Sequence, residues 1–305
     1  MHSDSGLRRP DDETRRPATG SSFCHRTGVW DLSQRPRVVG ILNLTPDSFY
    51  DGGRYATVDA ALKRAEQMLT EGAHGIDLGG QSTRPGSRPI DAEEEWRRVG
   101  APLVAIAKTI SVIPLSIDTY FSEVARRALD AGASMVNDVS GLTIDPSIAD
   151  VVARAGAGLV IMHSIGGPKD LHVAREYGDV AQEIRDFLRT RARLAEEQGV
   201  SREHIAIDPG VGFSKRAEQS FEALRGIPRY RELGYPVYVG VSRKSFLAAR
   251  TGEPVERRLP AGLAATVAAY GLGARIFRTH DVLDTVEALR TAQAVLHPVA
   301  VEVSA

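Results

Sequence analysis

A single cysteine, Cys24, leaves no partner for an internal disulfide and no set of thiolates for a zinc cluster. That scarcity fits a reducing compartment. Charge of one sign is not in excess either: Lys and Arg number 38 against 39 Asp and Glu, a formal net charge of -1. The basic surplus of a nucleic-acid-binding protein is missing, so no nucleic-acid partner and a small-molecule ligand are expected. No apolar run approaches the roughly 20 residues that span a bilayer, and the N-terminal region lacks the apolar core of a secretory leader. A cytoplasmic location without a membrane partner follows as the expectation.

What is present reads as a soluble globular chain, 42% hydrophobic and 25% charged. A length of 305 residues suits one large domain or two average ones. Residues 1–37 are polar, rich in Arg, Pro, Ser and Asp, and carry no periodic apolar face, so they are expected to be a largely disordered extension. Within them Val29-Trp30-Asp31-Leu32 is the candidate for a short strand against the main domain. Residues 38–299 are expected to form the catalytic domain, and 300–305 a tail.

From Val38 onward, short apolar runs alternate with helical spacing. Val38 to Leu44 reads as a buried strand, and Val58, Ala61, Leu62, Ala65, Met68 and Leu69 as the helix after it. Gly75 to Leu78 is a second strand. Its helix is announced by Asp91 as N-cap with Glu94 three residues on. Further strands are expected at Ile113–Ile117, Ser134–Val139, Gly158–Met162, His204–Ile207, Pro236–Val241 and Arg275–Phe277, each followed by a helical pattern. Eight β/α units favour a TIM (β/α)8 barrel as a single domain, whose usual size is about 250 residues. An open doubly wound sheet is the alternative, but no Gly-x-Gly-x-x-Gly follows the first strand, and polar residues recur at the C-terminal ends of the strands.

Those strand ends carry the chemistry. Asp208-Pro209-Gly210-Val211-Gly212-Phe213-Ser214-Lys215 places a carboxylate where a strand stops and the backbone turns away. Asp118 and Asn137 hold similar places; each could merely cap a helix, yet three such groups in one barrel mouth suit a ligand with adjacent N–H groups, such as a 2-amino-pyrimidinone edge. The loop from Asn43 to Gly53 is either an Asx-rich turn or a lid, with Asn43 as an oxygen ligand for a hard cation. Gly79 to Gly86 is either a solvated turn or an anion loop. Ser242-Arg243-Lys244 and Arg278-Thr279-His280 follow strands seven and eight, where barrels commonly build phosphate sites.

Taken in order, these motifs resemble the dihydropteroate synthase family. The likeness rests on Asn43-Leu44-Thr45-Pro46-Asp47-Ser48-Phe49, Asp77-Leu78-Gly79-Gly80-Gln81-Ser82-Thr83-Arg84-Pro85-Gly86, Ser116-Ile117-Asp118-Thr119, Asn137-Asp138-Val139, Met162-His163, Asp208 to Phe213, Ser242-Arg243-Lys244-Ser245 and Arg278-Thr279-His280-Asp281. It runs from about Val38 to Leu296. The resemblance implies condensation of 6-hydroxymethyl-7,8-dihydropterin diphosphate with 4-aminobenzoate to give 7,8-dihydropteroate and diphosphate, with Mg2+ as cofactor and a homodimer as the assembly. It implies that Asp118, Asn137, Asp208 and Lys244 hold the pterin, with Arg278 packed along its ring. Asn43, Arg84, Arg278 and His280 would hold diphosphate, Asn43 through magnesium. Thr83, Ser242, Phe49, Pro85 and Phe213 would shape the aminobenzoate site. Asn43, Arg84, Asp118, Lys244, Arg278 and His280 are thus expected to act in catalysis.

Two positions depart from the family pattern. Gln81 stands where bacterial members usually have Glu, which removes a charge from the second loop. Ser214 stands where they have Gly, adding a β-carbon where the backbone wants positive φ, which would shift Phe213. A catalytically weak pterin-binding paralogue and a pterin-dependent methyltransferase are the competing readings. Asn43, Arg84 and His280 speak against the first, and Lys244, Arg278 and His280 together against the second.

Overall fold

Between Ser22 and Asp31 the chain forms a tight antiparallel hairpin, β1 (Ser22–His25) and β2 (Gly28–Asp31), which pairs Phe23 with Trp30. Both aromatics are buried, as is Leu32 just after β2. The stretch read as a polar extension therefore contains an ordered plug. The short strand expected at Val29–Leu32 is present as β2, whereas Phe23 of β1, one apolar side chain among polar ones, gives no periodic signal. The computed structural model describes residues 20–33, 35–45, 53–81, 88–167, 169–171 and 173–296.

The β/α repeat then begins. β3 (Arg37–Asn43) leads to α1 (Gly53–Thr70), and β4 (Gly75–Gly79) to α2 (Ala92–Thr109). Asp91 caps α2 as expected, its side chain accepting the Glu94 N–H at 2.8 Å, while the Glu94 carboxylate turns to Arg97 and Arg98 instead of closing the box. β5 (Leu115–Asp118), α3 (Ser122–Asp130), β6 (Met135–Asp138), α4 (Ser147–Ala155), β7 (Gly158–Met162) and α5 (Val180–Glu197) continue the alternation. β8 (Ile205–Asp208) follows, then the Pro228-interrupted pair α6 (Ala217–Arg225) and α7 (Ile227–Arg231). β9 (Tyr238–Val239), α8 (Ala248–Thr251), α9 (Leu259–Leu272), β10 (Ile276–Thr279) and α10 (Val282–Leu296) complete the order.

All eight strands from β3 to β10 are parallel, in the order β8-β7-β6-β5-β4-β3-β10-β9. A bridge between Ile207 and Val237 brings β8 to the start of β9 and closes the ring. This is a TIM barrel. β9 is shorter than the expected Pro236–Val241, because the amides of both Arg275 and Ile276 turn to the Val237 carbonyl and break the ladder's rhythm.

Two apolar layers hold the barrel. Outward-facing strand residues such as Val38, Ile76, Ile117, Val136 and Ile207 pack against the helices. Inward, Val39, Met135, Val160, Ala206, Tyr238 and Ile276 meet Phe23, Trp30 and Leu32 of the hairpin, which fills the N-terminal end of the barrel. Burying Phe23 and Trp30 there is worth on the order of 2–3 kcal/mol each, and it leaves the opposite mouth as the open end.

Candidate active site

Side chains along a strand alternate between faces, so the residues two positions beyond the inner apolar layer also point inward. From Val39 this rule reaches Ile41 and Asn43; from Met135, Asn137; from Ala206, Asp208; and from Ile276, Arg278 and His280. On β5 the inward position at the strand end is Asp118. These side chains line one cavity of about 950 Å³ at the C-terminal ends of the strands, joined by Phe213, Ser242 and Lys244 from the following loops. Every expected site residue within the described stretches thus faces the same space. Phe49, Thr83, Arg84 and Pro85 lie outside the described residues.

The floor is an ion-pair network. Arg278 Nε donates to Asp77 Oδ2 at 2.6 Å, and a terminal guanidinium nitrogen donates to Asp118 Oδ2 at 2.8 Å. Burial works against the guanidinium, but the two carboxylates hold it more firmly protonated than usual. Asn137 donates its amide nitrogen to the same Asp77 oxygen at 3.0 Å, which leaves its amide oxygen for a ring N–H. Asp77 is fully buried, and nothing in its local pattern separates it from the other strand-end acids. Its role is to fix Arg278 and Asn137 from below.

The remaining charges are tuned by burial. Asp118 is pushed up to about 7, chiefly by loss of water, with Arg278 pulling the other way and Asp77 adding to the rise. Asp208 is also raised by burial, against the pull of Lys244 and of the Gly210 N–H that its Oδ1 accepts at 2.7 Å. Lys244 is lowered to about 8 by burial, with Asp208 resisting. Its ammonium donates to the Val211 carbonyl and sits 4.5 Å from the centre of the Phe213 ring, so one lysine holds the turn after β8 and cushions an aromatic wall.

That turn is fixed from its other side by Lys215, to which the sequence assigned no role. Lys215 Nζ contacts His163 Nδ1 at 2.8 Å and the carbonyls of Gly210 and Phe213 at 3.0 Å each. Gly210 has φ +63°, and a β-carbon there would stand 1.9 Å from the His163 carbonyl oxygen, so only glycine fits. Ser214 does take the left-handed conformation, at φ +53°. Its hydroxyl donates to the Ile165 carbonyl and accepts the Ile165 N–H, both at 2.9 Å, tying the turn to the loop after β7. Phe213 stays buried against Tyr120, Val139, Met162 and Leu171. Gln81 donates to the Tyr120 hydroxyl, so the departure from Glu is accommodated by a neutral hydrogen bond.

Ser242, expected at the aminobenzoate site, lines the cavity but commits its hydroxyl elsewhere, to His280 at 3.0 Å and Asp281 at 3.4 Å. Sequence reasoning also passed over Arg64, whose guanidinium donates to the His280 carbonyl at 3.0 Å, and Ser245 and Arg258 at the rim. Only the folding of α1 and α9 toward the mouth brings the two arginines there. Among the described residues no three His, Cys, Asp or Glu side chains gather as a metal site. The oxygen donor expected for a cation, Asn43 Oδ1, lies beside Gly79 and near Asp118. A single amide oxygen fits a hard cation held mainly by water and by phosphate oxygens of a ligand.

The arrangement can bind a flat, N–H-rich ring on carboxylates and an anion on Lys244, Arg278 and His280. A family model described as pterin binding enzyme matches residues 39–280. The dihydropteroate synthase of Synechocystis sp. is 43% identical over 267 residues, covering 87% of this chain and 92% of the relative. A structure of Xanthomonas albilineans dihydropteroate synthase with 4-aminobenzoic acid superposes with a TM-score of 0.85 at 41% identity, covering 92% of this chain and 99% of that one. The same enzyme in complex with 7,8-dihydropteroate gives 0.79 at 40% identity, over 88% and 96%.

Proposed function

The chain belongs to the dihydropteroate synthases, and from that membership we propose how its own residues carry out the family's reaction. It condenses 6-hydroxymethyl-7,8-dihydropterin diphosphate with 4-aminobenzoate, a transferase reaction that yields 7,8-dihydropteroate and diphosphate. The observation that carries the site assignment is the shared cavity, with Asp118, Asn137 and Asp208 at its floor and Lys244, Arg278 and His280 around it.

The pterin ring presents its N–H edge to Asp208, Asp118 and the Asn137 oxygen, whose acceptor capacity exceeds the bonds that Asp118 takes from Arg278 and Asp208 from the Gly210 N–H. Arg278, clamped between Asp77 and Asp118, lies along the ring and reaches toward the departing group. With His280, Arg84 and Asn43 it takes up the diphosphate. Asn43 Oδ1 would be the protein's ligand to Mg2+, and the ion would supply charge neutralisation to the leaving group. The C–O bond breaks with its electron pair going to diphosphate, and the positive charge left on the pterin methyl is stabilised by the floor carboxylates. The aryl amine is neutral near pH 7, so it attacks that carbon without prior deprotonation. The ammonium so formed loses its proton to water or to diphosphate. Phe213, held over Lys244, forms an apolar wall for the aryl ring, with Thr83, Ser242, Phe49 and Pro85 around it.

Diphosphate release should require the pterin diphosphate, 4-aminobenzoate and Mg2+ together. No release with all three present would refute the assignment. A homodimer is part of the same proposal, supported by the exposed apolar side chains Leu283, Val295 and Leu296 on α10; light scattering on the purified chain tests it. Among the described residues no helix is long and apolar enough to cross a membrane.

A further inference from the structure

Ser242 Oγ meets three groups. The His280 backbone N–H donates to it at 3.2 Å, His280 Nδ1 stands 3.0 Å away, and the Asp281 carboxylate lies at 3.4 Å. Asp281 is in turn held by Arg243, which donates to it at 3.2 Å through Nε and at 2.5 Å through a terminal nitrogen. A hydroxyl has one proton and two lone pairs. The backbone N–H can only donate and the carboxylate can only accept, so the O–H points to Asp281 and one lone pair receives the amide. The second lone pair faces Nδ1, and that nitrogen must carry the proton. The opposite assignment would turn the hydroxyl's lone pair on the carboxylate.

We propose that Ser242 is a positioning residue that, through Asp281, fixes His280 with its proton on Nδ1, so that Nε2 donates to an anion in the cavity only as imidazolium and diphosphate binding draws one proton onto this ring. The proposal rests on the diphosphate role given to His280 above. The surroundings favour such coupling. Arg243 and Asp281 flank the ring from the adjoining turns, and Arg64 of α1, paired with Glu71, holds its backbone carbonyl. Lys244, Arg258, Arg278 and Glu256 line the same cavity. Asp118 and Asp208 line it as well, so five cations, Arg64, Arg243, Lys244, Arg258 and Arg278, stand against three acids, which resists a further positive charge until a polyanion arrives.

The test uses the full chain with selectively 15N-labelled histidine and inorganic diphosphate as the probe. Long-range 1H–15N spectra of the ligand-free protein at alkaline pH should show His280 protonated at Nδ1. Ser242→Ala should shift the ring toward the Nε2-protonated form, and Ser242→Thr should restore the original pattern. Calorimetry in buffers of different ionisation enthalpy should show close to one more proton taken up by the wild type than by His280→Gln, with Ser242→Ala losing most of that difference. An Nε2-protonated His280 in the wild type, or a Ser242→Ala protein with unchanged spectrum and proton uptake, would overturn the proposal. Diphosphate bound equally well by His280→Gln would overturn the coupling and the diphosphate role of His280, while the condensation itself is judged separately by the release assay. If Ser242→Ala does not fold, the wild-type spectrum and the His280→Gln calorimetry decide.

Discussion

Glu95 offers a direct test of how burial sets charge around this site. It is fully buried on α2 beneath Gly80, where its Oε2 accepts the Thr119 hydroxyl at 3.0 Å and its Oε1 has no hydrogen-bond partner among the described residues. Loss of water raises its carboxyl to about 8; the Thr119 hydrogen bond opposes this, and the neighbouring Asp118 adds to it. Protonated Glu95 keeps a further negative charge away from Asp118. Below pH 4.5 the group is neutral in both folded and unfolded chains. As pH rises the unfolded chain ionises first, so the folded state loses stability until about pH 8, above which both forms are ionised and the cost is constant. That cost is about 4–5 kcal/mol, an upper bound from the size of the shift. Glu95→Gln keeps the shape and the acceptor for Thr119 without the charge. Urea denaturation at pH 5 and pH 8.5 should therefore show a variant near wild-type stability at pH 5 and more stable by several kcal/mol at pH 8.5. The comparison with wild type cancels the titration of other groups. Equal differences at the two pH values would refute the reasoning.

Other perturbations follow from the same geometry. Asp77→Asn can keep its oxygen where both Arg278 and Asn137 donate and put its NH2 where Asp77 Oδ1 has no partner; it should cost about 2 kcal/mol in urea denaturation, against about 3–5 for Asp77→Ala. Asn no better than Ala would show that the charge alone carries the effect and that the retained shape and acceptor contribute nothing. Asp208→Asn retains an acceptor for the Gly210 N–H but loses the charge opposite Lys244, so pterin affinity measured by calorimetry should fall roughly tenfold to a hundredfold, about 1.5–3 kcal/mol, with the fold intact; unchanged affinity would remove Asp208 from the site. Ser214→Gly relieves the left-handed backbone by about 1 kcal/mol but loses both hydroxyl bonds to Ile165, for a net destabilisation of about 1 kcal/mol and a higher KM for 4-aminobenzoate through Phe213. A more stable variant would mean that those bonds contribute little.

The sequence by itself determined the alternation of strand and helix, and with it the barrel. The strand period of two then lifts Asn43, Asp118, Asn137, Asp208, Arg278 and His280 to the same face and the same end, so the acidic and cationic groups could be expected together before any coordinates were known. Local rules also located the Asp91 cap, and the family resemblance located the strained position at Ser214. What they could not supply was anything that depends on partners distant in the chain. Asp77 looks like any other strand-end acid until Arg278, 201 residues away, closes on it. Lys215 is an ordinary basic residue until His163 and two carbonyls enclose it. Ser242 faces the cavity in either reading, yet its hydroxyl is claimed by His280 and Asp281 across the junction of β9 and β10. The strand at Val29–Leu32 could be expected, but its partner β1 could not, since Phe23 becomes core only when the barrel offers an open end to fill. Periodicity decides which way a side chain points; which group it meets, and therefore its charge and proton, is decided only when the ring closes.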